Sequence, residues 1–195
     1  MKIPLNEPFV RFKQWFEIAQ SKPEIVEPTA MCLATVSDGK PSSRMILLKK
    51  FDERGFCFFT NFTSKKGKQL EENKNVALCF YWGVLGFQVR IEGRVEEVSK
   101  QEADDYFATR RRESRIGAWA SKQSSEMKDW SEFEERIQKV TKEFEGKDVT
   151  RPEFWSGYRV VPQLIEFWQE GDFRIHRREV YERFEDGWKV KKIYP

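Results

Sequence analysis

Ala30-Met31-Cys32-Leu33-Ala34-Thr35-Val36 runs into Ser37-Asp38-Gly39-Lys40, and the chain returns through Arg44-Met45-Ile46-Leu47-Leu48-Lys49. The first run is short, apolar and ends on a turn, which reads as a buried strand. Asp-Gly closes tight hairpins because both residues tolerate the left-handed backbone those turns need. The return strand is expected to hold Arg44 to Lys50. A hairpin in this position points to antiparallel β structure, and the rest of the chain agrees. Phe56-Cys57-Phe58-Phe59-Thr60 follows the turn at Glu53-Arg54-Gly55 and reads as a third strand. Val76 to Trp82 reads as another buried strand. From Phe87 to Val98 the apolar Phe87, Val89 and Ile91 alternate with Gln88, Arg90 and Glu92, the period of a half-exposed strand.

Helices fill the gaps. Phe9, Phe12, Phe16 and Ala19 make an apolar stripe over residues 9–20. Ser64 caps a helix expected to reach Glu72. Ser99 with Glu102 forms a capping box that starts another. A long helix is expected over residues 126–145, with Met127, Trp130, Phe133, Ile137, Val140 and Phe144 on one face. Towards the C-terminus, Gly157 to Trp168 reads as a strand. His176 to Phe184, the turn Asp186-Gly187 and Trp188 to Ile193 read as a hairpin. The expected class is α+β: a mostly antiparallel barrel with flanking helices, forming a single domain over residues 1–195.

A chain of 195 residues buries roughly 70% of its unfolded surface and needs no staples. With 34% charged and 39% hydrophobic residues it has the composition of a soluble protein. The net charge is only +3, with acids and bases interleaved, which argues against a nucleic-acid surface. Cys32, Cys57 and Cys79 each sit in an apolar run without metal-ligand spacing, so reduced, buried thiols and no metal are expected. No apolar run reaches the length of a membrane span and the start lacks a secretion signal, so a cytoplasmic location is expected.

Candidate sites emerge from cations near apolar runs. Arg44 and Lys49, five apart on one strand, would point to opposite faces and serve two adjacent anions; two solvated strand ends is the plainer alternative. Thr60-Asn61-Phe62-Thr63-Ser64-Lys65-Lys66 passes from a strand end into a helix N-terminus, where backbone N–H groups and two lysines suit a phosphate. Gln88, Gln123 and Ser124 are neutral hydrogen-bonding groups for a polar ring edge, or ordinary surface residues. Tyr106, Arg110 and Ser114, four apart, would line one face of a helix ending before Gly117 and offer hydroxyls and a guanidinium to a second phosphate. Arg174 and the only histidine, His176, would share a strand face with Arg178, beside an aromatic wall from Trp168. A lone histidine is otherwise a structural or exposed residue.

Taken together, Arg44-Met45-Ile46-Leu47-Leu48-Lys49, Phe59-Thr60-Asn61, Ile116-Gly117-Ala118-Trp119-Ala120-Ser121-Lys122-Gln123-Ser124-Ser125, Phe154-Trp155-Ser156-Gly157, Ile165-Glu166-Phe167-Trp168-Gln169 and Arg174-Ile175-His176 resemble the pyridoxine (pyridoxamine) 5′-phosphate oxidase family over nearly the whole chain. The resemblance implies an FMN-binding split β-barrel and a homodimer with FMN at the subunit interface. It implies oxidation of pyridoxine or pyridoxamine 5′-phosphate to pyridoxal 5′-phosphate by O2, with H2O2 and, from the amine, NH3 as products. It implies FMN contacts from Arg44, Met45, Ile46, Leu47, Leu48, Lys49, Phe59, Thr60, Lys65, Lys66, Gln88, Gln123, Ser124, Trp168 and Arg178. Lys49, Tyr106, Arg110 and Ser114 match the substrate-phosphate residues. Arg174, Ile175 and His176 match the ring contacts, with Arg174 and His176 in the catalytic role. A C-terminal segment over about 154–195 would complete the substrate site. Two departures stand out. Lys65 occupies a position where arginine is common, and Met1 to Pro8 offers no basic segment of the kind some relatives fold over the substrate. The rival readings are a split-barrel flavin reductase and a non-catalytic vitamin B6 phosphate carrier.

Overall fold

The structure, a computed structural model, describes residues 3–195. Of the short N-terminal segment, residues 1 and 2 lie outside the described residues. The chain divides into two compact units: Met1–Phe58, Asn73–Glu96 and Arg159–Pro195 form the first, Phe59–Glu72 and Glu97–Tyr158 the second.

Most of the antiparallel sheet lies in the first unit; residues 59–61, 97 and 155–158 of its strands belong to the second. The strands are β1 (Ala30–Ser37), β2 (Lys40–Leu47), β3 (Lys50–Asp52), β4 (Gly55–Asn61), β5 (Asn75–Trp82), β6 (Phe87–Glu97), β7 (Trp155–Gln169), β8 (Arg177–Phe184) and β9 (Gly187–Ile193). The order is β2-β1-β5-β6-β7-β4-β3, with β8 joined to β7 and β9 to β8. The Asp38-Gly39 hairpin forms as read, pairing Ser37 with Lys40 and Ala30 with Leu47. Both turn residues take positive φ, 49° and 68°. β7 serves neighbours on several sides because it is long: its last stretch, Leu164 to Gln169, pairs with β8. One long strand shared between pairings is the mark of the split barrel.

Helix α1 (Glu7–Gln20) closes the core of this unit. Its stripe packs as the spacing predicts: Phe9, Phe12, Phe16 and Ala19 are buried. Phe12 is fully covered and meets Phe51, Phe56 and Phe80 edge-on, with centroids 4.8, 4.9 and 5.2 Å away. Edge-to-face contacts add about 0.5–1.5 kcal/mol each beyond burial, so phenylalanine supplies much of this core. Of the cysteines, Cys57 is buried, but Cys32 and Cys79 are only half-buried; none of the three is in a disulfide. Both face away from the core, opposite each other on β1 and β5, so the expectation of three buried thiols fails on strand alternation.

The second unit holds the other helices, α2 (Lys65–Glu72), α3 (Lys100–Thr109), α4 (Arg112–Ala120) and α5 (Trp130–Glu143). The capping box of Ser99 and Glu102 is present in both directions. α5 is shorter than the 126–145 expected. Asp129 accepts hydrogen bonds from the Ser131 and Glu132 N–H groups and sets the start there. Met127 is thereby left outside the helix, and Trp130 is 70% exposed.

Tyr158 is buried at the end of the second unit and stacks on Phe62. Burial, with Glu97 and Glu71 nearby, pushes its phenol up to about 12. The ordinary phenol ionises near 10, so in the alkaline window between about 10 and 12 the unfolded chain releases a proton that the folded chain keeps. Stability is therefore expected to fall as pH rises through that window. Tyr158→Phe should flatten this fall in urea unfolding midpoints measured from neutral pH to pH above 10; an unchanged alkaline slope would show that Tyr158 is not its source.

Candidate functional site

In the second unit, candidate residues meet at the head of α2. The loop before it is fixed by Asn61, whose Oδ1 accepts from the Thr63 N–H and hydroxyl at 2.7 Å each. Ser64 caps the helix by accepting from the Gly67 N–H. The Lys66 ammonium donates to Gln123 Oε1 at 2.8 Å and to Thr60 Oγ1 at 3.1 Å. Thr60, Lys66 and Gln123 are thus brought together, with Ser124 adjacent in a left-handed conformation, φ 71°. Lys65 is exposed on the first turn. α2 has no acidic residue in its first turn but two lysines, which oppose the helix dipole. An anion seated there relieves that opposition, and the donor set of backbone N–H, hydroxyl and ammonium fits a phosphate monoester.

A second group in the same unit is centred on Arg110. Tyr106, Arg110 and Ser114 do not lie on one helical face. α3 ends at Thr109, Arg110 is extended at φ −74°, ψ 146°, and α4 begins at Arg112. α4 also runs through Gly117 to Ala120 rather than stopping before it. The break puts Tyr106 on the last turns of one helix, Arg110 in the corner and Ser114, exposed, on the first turn of the next. The Arg110 guanidinium lies 4.8 Å above the Trp155 ring and 5.4 Å from Phe107. Its NH1 is buried without a hydrogen-bond partner, and burial lowers its pKa. A buried donor without an acceptor is costly, and a guanidinium in that condition beside the N–H groups of a helix start fits a phosphate. Tyr106 stacks on Phe59 at 4.1 Å, which in turn stacks on Trp155 at 5.5 Å. Gly157 makes room for this stack: a Cβ there would sit 2.7 Å from the Phe59 ring.

The first unit carries the other candidates. Arg44 and Lys49 do not share a regular strand. β2 ends at Leu47; Leu48 is 3% exposed and its N–H donates to Thr29 O, while the Lys49 N–H donates to Cys57 O. The five-residue spacing therefore says nothing about facing. Arg44 NH1 donates to Thr35 Oγ1 at 2.7 Å and NH2 to Ser42 Oγ at 3.0 Å. Burial lowers its pKa. Ile46 is half-buried, whereas Met45 is 64% exposed and Leu47 36%. Gln88 is half-buried opposite Tyr81 on β5.

Arg174 and His176 do not share a strand face with Arg178 either. Asp172–Arg174 is a short 3-10 turn, and Phe173 and Arg174 take φ of 54° and 65°. Left-handed backbone at a non-glycine residue costs about 1–3 kcal/mol and gathers at functional loops. The turn folds back so tightly that a Cβ on Gly171 would lie 2.2 Å from the Ile175 carbonyl oxygen. Arg174 and Ile175 are exposed at its tip. His176 is held by Trp168, ring centroids 4.6 Å apart, and its Nδ1 accepts from the Gly171 N–H at 3.4 Å. Arg178 lies opposite Trp168 on β8, and its Nε donates to Glu166 at 2.7 Å. That bond raises the arginine's pKa.

Two residues escaped the sequence reading as site components. Glu166, 3% exposed, bridges Arg90 and Arg178; its signal was a carboxylate inside the apolar run Ile165 to Trp168. Trp155 had no signal beyond its place in a motif. Among the described residues no group of three or more His, Cys, Asp or Glu side chains is arranged to hold a metal.

The sequence profile described as pyridoxamine 5′-phosphate oxidase matches residues 18–143. A second, described as the pyridoxine 5′-phosphate oxidase C-terminal dimerisation region, matches residues 155–195. A pyridoxine/pyridoxamine 5′-phosphate oxidase from Nostoc punctiforme is 49% identical, over 100% of this chain and 91% of its own. Among solved structures, PhzG from Burkholderia lata 383, in complex with tetrahydrophenazine-1-carboxylic acid, is similar with a TM-score of 0.90 and 33% identity, covering 96% of this chain and 92% of that one. A pyridoxamine 5′-phosphate oxidase-related, FMN binding protein from Nostoc punctiforme shares the fold, with a TM-score of 0.68 and 17% identity over 86% and 88% of the two chains. With two profiles matched in order over residues 18–143 and 155–195 and near-half identity along its full length, the chain belongs to the pyridoxine (pyridoxamine) 5′-phosphate oxidase family.

Proposed function

We propose that this chain is an FMN-dependent oxidase that converts pyridoxine 5′-phosphate or pyridoxamine 5′-phosphate to pyridoxal 5′-phosphate. O2 is the electron acceptor and H2O2 a product, with NH3 released from the amine. The observation that carries the reading is the buried, unpartnered NH1 of Arg110 beside the start of α4, a donor in need of an anion in a chain of this family. When bound, FMN supplies the two-electron acceptor that no side chain provides.

The chain's own residues bind and orient. Arg44 to Lys49, Phe59, Thr60, Lys65, Lys66, Gln88, Gln123, Ser124, Trp168 and Arg178 are assigned to FMN. Lys66, already donating to neutral oxygens, takes the cofactor phosphate. Lys65 adds a point charge where arginine would give a fork. Lys49, Tyr106, Arg110 and Ser114 are assigned to the substrate phosphate. Fixing that phosphate orients the rest of the substrate and removes much of its rotational freedom before reaction. Arg174, Ile175 and His176 are assigned to the pyridine ring, the first and last as catalytic residues. The strained turn holds Arg174 out, and the Gly171 contact to Nδ1 favours the tautomer in which His176 donates from Nε2.

The working form is a homodimer in the cytoplasm, with FMN at the interface and residues of about 154–195 completing the substrate site. An exposed apolar sheet face supports the dimer: Met45 and Tyr81 are each 64% exposed, and both lie on the face that carries Cys32 and Cys79. No helix among the described residues is long and apolar enough to cross a membrane.

Oxygen uptake tests the reading. The purified chain supplemented with FMN should consume O2 on addition of pyridoxine 5′-phosphate and form pyridoxal 5′-phosphate and H2O2 in equal amounts. Binding of the phosphate ester without O2 uptake would favour a carrier. NAD(P)H-driven reduction of free flavin in its place would favour a reductase.

A further inference from the structure

We infer that Trp155 is a positioning residue for the substrate, its indole face holding the Arg110 guanidinium at the height and angle at which it meets the phosphate. The inference rests on the assignment of Arg110 to that phosphate and adds a residue that never touches it. Arg110 sits where the backbone is extended between two helices, so helical geometry does not aim its side chain. Among the described residues no carboxylate pairs with it. The contacts that locate its guanidinium are aromatic: the Trp155 ring at 4.8 Å and Phe107 at 5.4 Å. Phe107 is itself set against Trp155 in a T-shaped contact at 5.0 Å.

Trp155 is built to stay in place. It is 6% exposed, and Phe59 stacks on it with planes 10° apart. Its backbone N–H donates to Pro152 O, and its backbone carbonyl accepts from Arg151 NH1 at 2.8 Å. Arg151 is in turn tied to Asp104 at 2.6 Å. A cation held by a ring keeps its N–H edge free, whereas one held by a carboxylate has spent both its charge and its donors. Trp155 therefore fixes Arg110 without competing with a phosphate for it.

The test is steady-state kinetics on the FMN-loaded enzyme with pyridoxine 5′-phosphate. Trp155→Leu removes the π face and should raise KM about tenfold, the scale of a desolvated cation–π contact, with kcat and FMN content within about twofold. Trp155→Phe keeps a ring and should restore most of the KM. In an Arg110→Ala background, Trp155→Leu should leave KM where Arg110→Ala alone puts it. If Trp155→Leu does not fold, Trp155→Met, which also lacks a π face, takes its place in the cycle with Arg110→Ala. Additive effects, or an unchanged KM in Trp155→Leu while Arg110→Ala raises it, would overturn the positioning role alone. An unchanged KM in Arg110→Ala would remove the phosphate assignment on which it rests.

Discussion

Arg110→Ala is expected to raise the KM for pyridoxine 5′-phosphate by about tenfold to a hundredfold, with a smaller change in kcat and none in FMN content. A hydrogen bond to a charged group is worth about 1.5–3 kcal/mol, and each 1.4 kcal/mol is a factor of ten. The side chain is half-buried and its NH1 fully so, which places its interaction with a phosphate within that range. Its NH1 has no acceptor in the chain itself, so the free protein gains little from it, and the thermal midpoint should hold or rise slightly on truncation. This combination of weaker substrate binding without lost stability separates a binding arginine from a structural one. Arg110→Lys should recover only part of the loss, since a point charge replaces a planar fork. Steady-state kinetics and a melting curve on the same preparation check it. A lower midpoint with unchanged KM would make Arg110 structural.

Glu166→Leu is expected to lower stability by about 3 kcal/mol. Removing one partner of a fully buried ion pair costs about 3–5 kcal/mol, because the opposite charge is left uncompensated. Glu166 has 4% side-chain exposure, but Arg90 and Arg178 keep 41% and 24%, and water near them moderates the loss. Glu166→Gln keeps the shape and one acceptor and should lose less. The variant should also bind FMN more weakly, since the Arg178 guanidinium loses the 2.7 Å bond that aims it. Urea unfolding gives the first quantity and quenching of FMN fluorescence the second. An unfolding midpoint equal to the parent's would mean that the pair's desolvation cost cancels its attraction.

What was legible in the sequence was what neighbours in the chain decide. The Asp38-Gly39 hairpin, the Ser99–Glu102 box and the α1 stripe follow from local turn chemistry, capping and period, and each lies where its residues predicted. What was not legible depends on residues distant in sequence. Leu48 and Lys49 leave the strand because their N–H groups pair with Thr29 and Cys57; the composition of Arg44 to Lys49 reads as one continuous strand. Arg110 breaks a helix that propensity would continue, where its guanidinium lies on Trp155. Phe173 and Arg174 take left-handed backbone that no β-rich, non-glycine run announces. These breaks fall on proposed site residues, where local preference is expected to give way to function. One boundary was within reach: Asp129 with Glu132 has the same cap spacing as Ser99 with Glu102 and places the start of α5 correctly.

The most direct test of the proposed oxidase is made without oxygen. The purified chain, loaded with FMN, is mixed anaerobically with pyridoxine 5′-phosphate while the flavin absorbance is followed. The visible flavin band should bleach on mixing and return when O2 is admitted, with pyridoxal 5′-phosphate formed in proportion. A protein that holds FMN but keeps its full absorbance with the substrate present, or one that takes up no FMN, would contradict the account.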